Sequence, residues 1–144
     1  MPHSQKSILN DPAIRTALKQ AWQDSNPGLT GGHEEGGFIV QDSGNNLSVL
    51  QWPKGLQSSI VVPLHRSCQI GEQDIVASFH THPNTGSDFL QEPSETDKRA
   101  VRDDPDLKGA AYLGEFVISQ KTIYLITPTG QVREVDETQI VFAE

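Results

Sequence analysis

The feature that most constrains this chain is the apolar run Ile75 to Phe79, which leads without a break into His80-Thr81-His82-Pro83. A run of that length reads as a strand, and a strand sends alternate side chains to opposite faces, so His80 and His82 point the same way. Pro83 has no N–H for a ladder and turns the chain aside. Any fold of this chain therefore ends a strand where two imidazoles can reach one point. Neutral imidazole nitrogens suit zinc, and a strand ending of this kind is a natural two-ligand clamp. Taken alone, the pair also fits two solvated histidines at a strand end.

The rest of the chain supplies the frame. Asp11 caps and Pro12 opens a helix of about residues 11–24, with Ile14, Leu18, Ala21 and Trp22 at helical spacing and Asn26-Pro27-Gly28 closing it. Gly37 to Val40 and Leu47 to Trp52 read as a hairpin around Asp42-Ser43-Gly44-Asn45-Asn46. Ser59 to Val62 reads as a third strand before Pro63, and Ile75 to Phe79 as a fourth. A loop from Asn84 to Pro93 precedes a second helix, Ser94 to about Arg102, which Asp103-Asp104-Pro105-Asp106 ends. Gly114 to Ser119, Thr122 to Thr127 and Gln131 to Val135 form a closing meander. Helix, strands, helix, strands in 144 residues predict a single α/β (α+β) domain spanning the chain.

A third ligand lies downstream. Ser94-Glu95-Thr96-Asp97 puts Asp97 in the first turn of the second helix, where a carboxylate can join the two histidines while backbone donors hold its other oxygen. Capping by Ser94 and dipole compensation by Asp97 explain the same residues and are compatible with metal binding. Two His and one carboxylate leave a position for water, the arrangement of catalytic zinc. Zinc brings the pKa of such a water to about 7, and a nearby carboxylate can then take its proton. The candidate base lies in His33-Glu34-Glu35-Gly36-Gly37, where glycines allow the close backbone approach a crowded site needs.

Glu34-x-x-Gly37 before an apolar strand, then His80-Thr81-His82-Pro83, then Ser94-x-x-Asp97, resembles the JAMM motif of the MPN (JAB) zinc metalloproteases. Many of those enzymes cleave isopeptide bonds to ubiquitin or ubiquitin-like proteins. The resemblance covers residues 34–97 and implies an MPN/JAB-like fold, akin to cytidine deaminases, with a mixed sheet flanked by helices. It implies Zn2+ held by His80, His82 and Asp97, Glu34 as the group that activates water, and Ser94 as a donor to the oxyanion. Glu34 fits the family spacing to Gly37 better than its neighbour Glu35. The loop between His82 and Ser94 is longer than in the family, so Asp88 stands as a rival third ligand. Together with Leu125-Ile126-Thr127-Pro128-Thr129-Gly130-Gln131-Val132, the chain is most similar to bacterial JAB-like domains, stand-alone or at the ends of toxins. The implied substrate is a peptide or a ubiquitin-like protein. Relatives that lack the motif act as non-catalytic interaction modules, which is the alternative reading.

Charge narrows the partners. The net charge of −8, from 19 acidic and 11 basic residues, disfavours nucleic acid and anionic membrane surfaces. The residues after Met1 lack the apolar run of a signal peptide, and no stretch is long enough for a membrane span, so the expectation is a cytoplasmic protein or an effector delivered without a cleavable signal. The one cysteine, Cys68, is expected to be a small buried hydrophobe, and His33 and His65 to be ordinary surface or core histidines. Oligomeric state is open, and iron, manganese or cobalt suits the same donors as zinc.

Overall fold

The computed structural model describes residues 3–29, 31–86 and 90–143. Its centre is the strand the histidines end. β4 (Gln73–Thr81) is buried from Ile75 onward and runs between β1 (Gly36–Gln41), antiparallel to it, and β5 (Glu115–Ile118), parallel to it. Outward from these lie β2 (Leu47–Gln51) beyond β1, and β6 (Thr122–Ile126) and β7 (Val132–Glu137) beyond β5. A two-residue β3 (Gln69–Ile70) pairs with the start of β4 and completes a mixed seven-stranded sheet.

Helices cover both faces. α1 (Gln5–Asn10), α2 (Pro12–Asp24) and α4 (Thr138–Val141) supply Ile8, Leu18 and Val141 to an apolar cluster with Ile39, Phe79, Phe116 and Leu125. On the opposite face α3 (Glu95–Arg102) and a 3₁₀ turn (Pro105–Leu107) supply Val101 and Leu107 to a cluster with Phe38, Trp52, Val117 and Ile126. Parallel strands need a crossover, and α3 is the helix of the crossover from β4 to β5, so its N-terminus lies by the end of β4. No helix among the described residues is long and apolar enough to cross a membrane.

Local chemistry explains most boundaries. The Asp11 carboxylate accepts the N–H groups of Ala13 and Ile14, with Pro12 in the first turn of α2. The Asp42 carboxylate accepts the N–H groups of Gly44 and Asn46 and closes the β1–β2 turn. Two expectations fail. The first helix is α1, not α2: Ser4 and Ser7 form a capping box before Ile8 and Leu9, which are buried. Ser59 to Val62 is not a strand. Gly55 and Leu56 give their backbone groups to Glu34 and Ser59, and Val61 is 81% exposed, so this segment is a loop laid beside β1.

Gly36 is a tight point within β1. A Cβ there would lie 2.7 Å from the Phe79 carbonyl oxygen and press into the Trp52 ring. Gly36→Ala should destabilise the protein by about 1–3 kcal/mol, the usual penalty for overpacking. Urea unfolding checks this, and an unchanged midpoint would mean that Trp52 moves aside freely.

Candidate metal centre

Strand parity aims the histidines. Gly36 pairs with His80 and Phe38 with Ser78, so Ser78 and His80 project on the α3 face while Phe79 packs in the opposite cluster. His82 lies one residue past β4, yet its N–H still bonds the Ile118 carbonyl at 2.8 Å and keeps the chain extended. Both rings are buried, His80 to 2% and His82 to 8% exposure. Thr81, facing the other way, anchors this strand end: its hydroxyl meets Ser25 Oγ at 2.6 Å and accepts the Glu35 N–H at 3.0 Å.

The third donor comes from a helix cap. Ser94 Oγ accepts the Asp97 N–H at 3.0 Å, and Asp97 Oδ2 accepts the Ser94 N–H at 2.9 Å, a reciprocal capping box. The same Oδ2 lies 3.1 Å from His82 Nε2 and 3.4 Å from His80 Nε2, with the two imidazole nitrogens 3.2 Å apart. One oxygen thus serves both cap and cluster, where the sequence led us to expect the other oxygen on the backbone donors. His80, His82 and Asp97 form a group able to hold a metal ion.

Geometry and proton placement fit that use. Four ligands at 2.0–2.1 Å around a tetrahedral ion stand about 3.3 Å apart, which is the spacing of these three atoms. His80 Nδ1 faces Glu115 Oε2 at 2.7 Å, and His82 Nδ1 faces the Gln91 carbonyl at 3.2 Å. A backbone carbonyl can only accept, as can a carboxylate, so each Nδ1 carries a proton and it is Nε2 of each ring that is free to offer a lone pair to a metal ion. Burial opposes charge on His80, but Glu115 and Asp97 raise its pKa well above the usual value. Burial likewise works against an ionised Asp97, yet its contacts with His80 and His82 and the Ser94 N–H hold its pKa far below the carboxylate range. A metal ion would displace the proton that His80 otherwise keeps.

Glu34 enters from the start of β1. Its N–H bonds the Leu56 carbonyl at 2.7 Å, and its own carbonyl accepts the Gly55 N–H at 2.8 Å. The side chain lines a cleft of about 210 Å³ with His82, Asn84, Leu90, Ser94 and Asp97. Burial pushes its carboxyl up to about 7 against the opposing charges of His80 and His82. Glu35 is engaged elsewhere, its two oxygens taken by His33 Nε2 at 2.6 Å and Gln51 Nε2 at 2.8 Å. His65 is also outside the cluster, held between the Pro63 carbonyl and Asp104. Cys68 is a buried core residue. Asp88 lies outside the described residues.

Sequence reasoning missed two residues. Glu115 accepts a hydrogen bond from His80 Nδ1, and Asn84 clasps the cleft wall. Asn84 Oδ1 accepts the Gly32 N–H at 2.9 Å, its Nδ2 donates to the Gln57 carbonyl at 3.3 Å, and its own carbonyl accepts Gln91 Nε2 at 2.6 Å. The available signal for Glu115 was an acidic residue opening the apolar run Phe116-Val117-Ile118. No family model matches the chain, and neither curated proteins nor solved structures give a significant match.

The raised Glu34 carboxyl makes a stability prediction for metal-free protein. Its pKa goes from 4.5 to about 7 on folding, so the folded state binds more protons in that window and stability falls as pH rises through it. Glu34→Gln should match the wild type near pH 4, below the unfolded value, and exceed it by about 3 kcal/mol at pH 8. Zinc should shrink the gain, because a cation favours the ionised carboxylate. Denaturant melts at both pH values check this, and equal stability at both would mean a well-solvated Glu34.

Proposed function

We propose that the protein is a zinc-dependent hydrolase of peptide or isopeptide bonds, of the MPN/JAB type that its motif resembles. The observation that carries this reading is the convergence of two imidazole nitrogens and one carboxylate oxygen at tetrahedral spacing, in a cleft that also holds Glu34 and Ser94. A mixed sheet with helices on both faces is compatible with that fold type. Donors of two nitrogens and one oxygen suit zinc, and the open cleft leaves room for water and substrate.

When bound, zinc supplies Lewis acidity that polarises a carbonyl and acidifies water. The chain's own residues do the rest. Glu34, with a carboxyl near 7, takes a proton from the attacking water and returns it to the departing amine. Ser94 Oγ already accepts the Asp97 N–H, so its hydroxyl proton is left to donate toward the oxyanion. The cleft lining carries the carboxylates of Glu34 and Asp97 and no Lys or Arg among the described residues. A free C-terminal carboxylate finds no cationic partner there, which favours internal peptide or isopeptide bonds over carboxypeptidase substrates.

The test is metal content by plasma mass spectrometry on protein purified without added metal or chelator. About one zinc per chain is expected, and loss of it in His82→Ala and Asp97→Ala, since two ligands rarely hold zinc tightly. Absence of metal from the wild type, even after zinc is offered, would overturn the reading. Against a panel of peptide and isopeptide substrates, Glu34→Gln should keep its zinc and lose turnover. Ser94→Ala should lose about a hundred- to a thousandfold in kcat, with about 1 kcal/mol of stability lost from the cap. Full turnover by Glu34→Gln would remove it from the mechanism.

A further inference from the structure

Glu115 opens β5 as the parallel neighbour of Ser78 and is only 5% exposed. Gly114 sets it there with φ +130°, at a point where a Cβ would run into the Ile126 carbonyl oxygen. Both carboxylate oxygens are used: Oε2 accepts a hydrogen bond from His80 Nδ1 at 2.7 Å, and Oε1 accepts the Ser78 hydroxyl at 2.9 Å. With that proton committed, Ser78 Oγ can only accept from the Tyr112 hydroxyl, 2.7 Å away. Tyr112 and Ser78 are themselves buried, so every proton in the chain Tyr112–Ser78–Glu115–His80 points at one carboxylate. This is more than burial of a polar group needs, and it runs into the back of a candidate ligand.

Charge supplies the second argument. Two neutral imidazoles and Asp97 bring one negative charge to a divalent ion, which would leave a positive charge in a buried place. Glu115 is the carboxylate directly behind His80, and it adds negative charge on the side of the ion away from Glu34 and the open cleft. A ligating histidine backed by a carboxylate is also a stronger donor, fixed in ring orientation and tautomer.

Resting on the metal-site reading above, we propose that Glu115 is the positioning residue of the centre, fixing His80 as an Nε2 ligand and balancing the ion's charge, with Ser78 and Tyr112 holding its carboxylate. A glutamine there has one acceptor oxygen for two donors, so either the Ser78 hydroxyl or the His80 Nδ1 proton must face an NH2 group.

The experiment measures zinc affinity of the full chain by competition with a chromophoric chelator, and the visible spectrum of the cobalt(II) form. Glu115→Gln should bind zinc about 10- to 100-fold more weakly and shift the cobalt bands. Ser78→Ala, which leaves Glu115 in place, should weaken zinc about fivefold through loss of one hydrogen bond, and it serves as the test if Glu115→Gln fails to fold. Wild-type affinity in a folded Glu115→Gln with an unchanged cobalt spectrum overturns the proposal and leaves the metal site standing. In the absence of a folded Glu115→Gln, wild-type affinity in Ser78→Ala does the same. A wild type that binds no zinc overturns both.

Discussion

Three lone pairs facing one another, from His80 Nε2, His82 Nε2 and Asp97 Oδ2 at 3.1–3.4 Å, are the constraint around which the structure is arranged. Like-polarity atoms this close and this buried repel unless a cation sits among them, and leaving such groups unpaired costs several kcal/mol. Without a metal ion, Glu115 and Asp97 on either side of the ring raise the His80 pKa against the cost of burial, which favours a proton in that place. The arrangement persists only because each donor is fixed by something outside the cluster. His80 is held from behind by Glu115, His82 by the Gln91 carbonyl, and Asp97 by the backbone of its own helix cap.

The same economy of contacts joins the three segments that meet at the site. Thr81 ties the end of β4 to the C-terminus of α2 through Ser25 and to the approach of β1 through the Glu35 N–H. Asn84 ties the residues before Glu34 to the loop at Gln57 and to Gln91. Thr81 lies between the two histidines and points away from the cluster, whereas Asn84 lines the cleft beside His82. At the end of β4 strand alternation therefore does two jobs at once: His80 and His82 build the centre, and Thr81 between them fastens it to α2 and β1.

What the sequence disclosed follows the range of the interactions. His80 and His82 on one face follow from the two-residue period of a strand, and Asp97 over the start of α3 follows from a capping box three residues long. Both are local and could be read without knowing the fold. Glu115 could not, because its partnership with Ser78 and His80 depends on a parallel pairing that crosses 35 residues and a helix. Ser59 to Val62 misled for the converse reason. Its β-branched residues fit a strand, but its loop spends backbone groups on Glu34 and on a turn within itself instead. α1 escaped notice because six residues carry too little periodicity to stand out before packing on α2 secures them.

Two carboxyls in one cleft have been pushed apart, and the physical causes are separable. Asp97 is buried yet accepts the Ser94 N–H and lies against the His80 and His82 rings, and these contacts outweigh the loss of water. Glu34 is buried with no hydrogen bond to its carboxyl found among the described residues, so desolvation prevails and its pKa rises to about 7. The first environment suits a permanent ligand, which must stay ionised. The second suits a group that gains and gives up a proton near neutrality, since proton transfer is fastest when the carrier's pKa lies near the working pH. Exchanging the two side chains' surroundings would spoil both proposed roles: a carboxyl locked in ionised form cannot carry a proton, and one that protonates near pH 7 competes poorly for a metal. The helix cap at Ser94 and the bare approach at Glu34 are therefore the structural source of the division of labour between them.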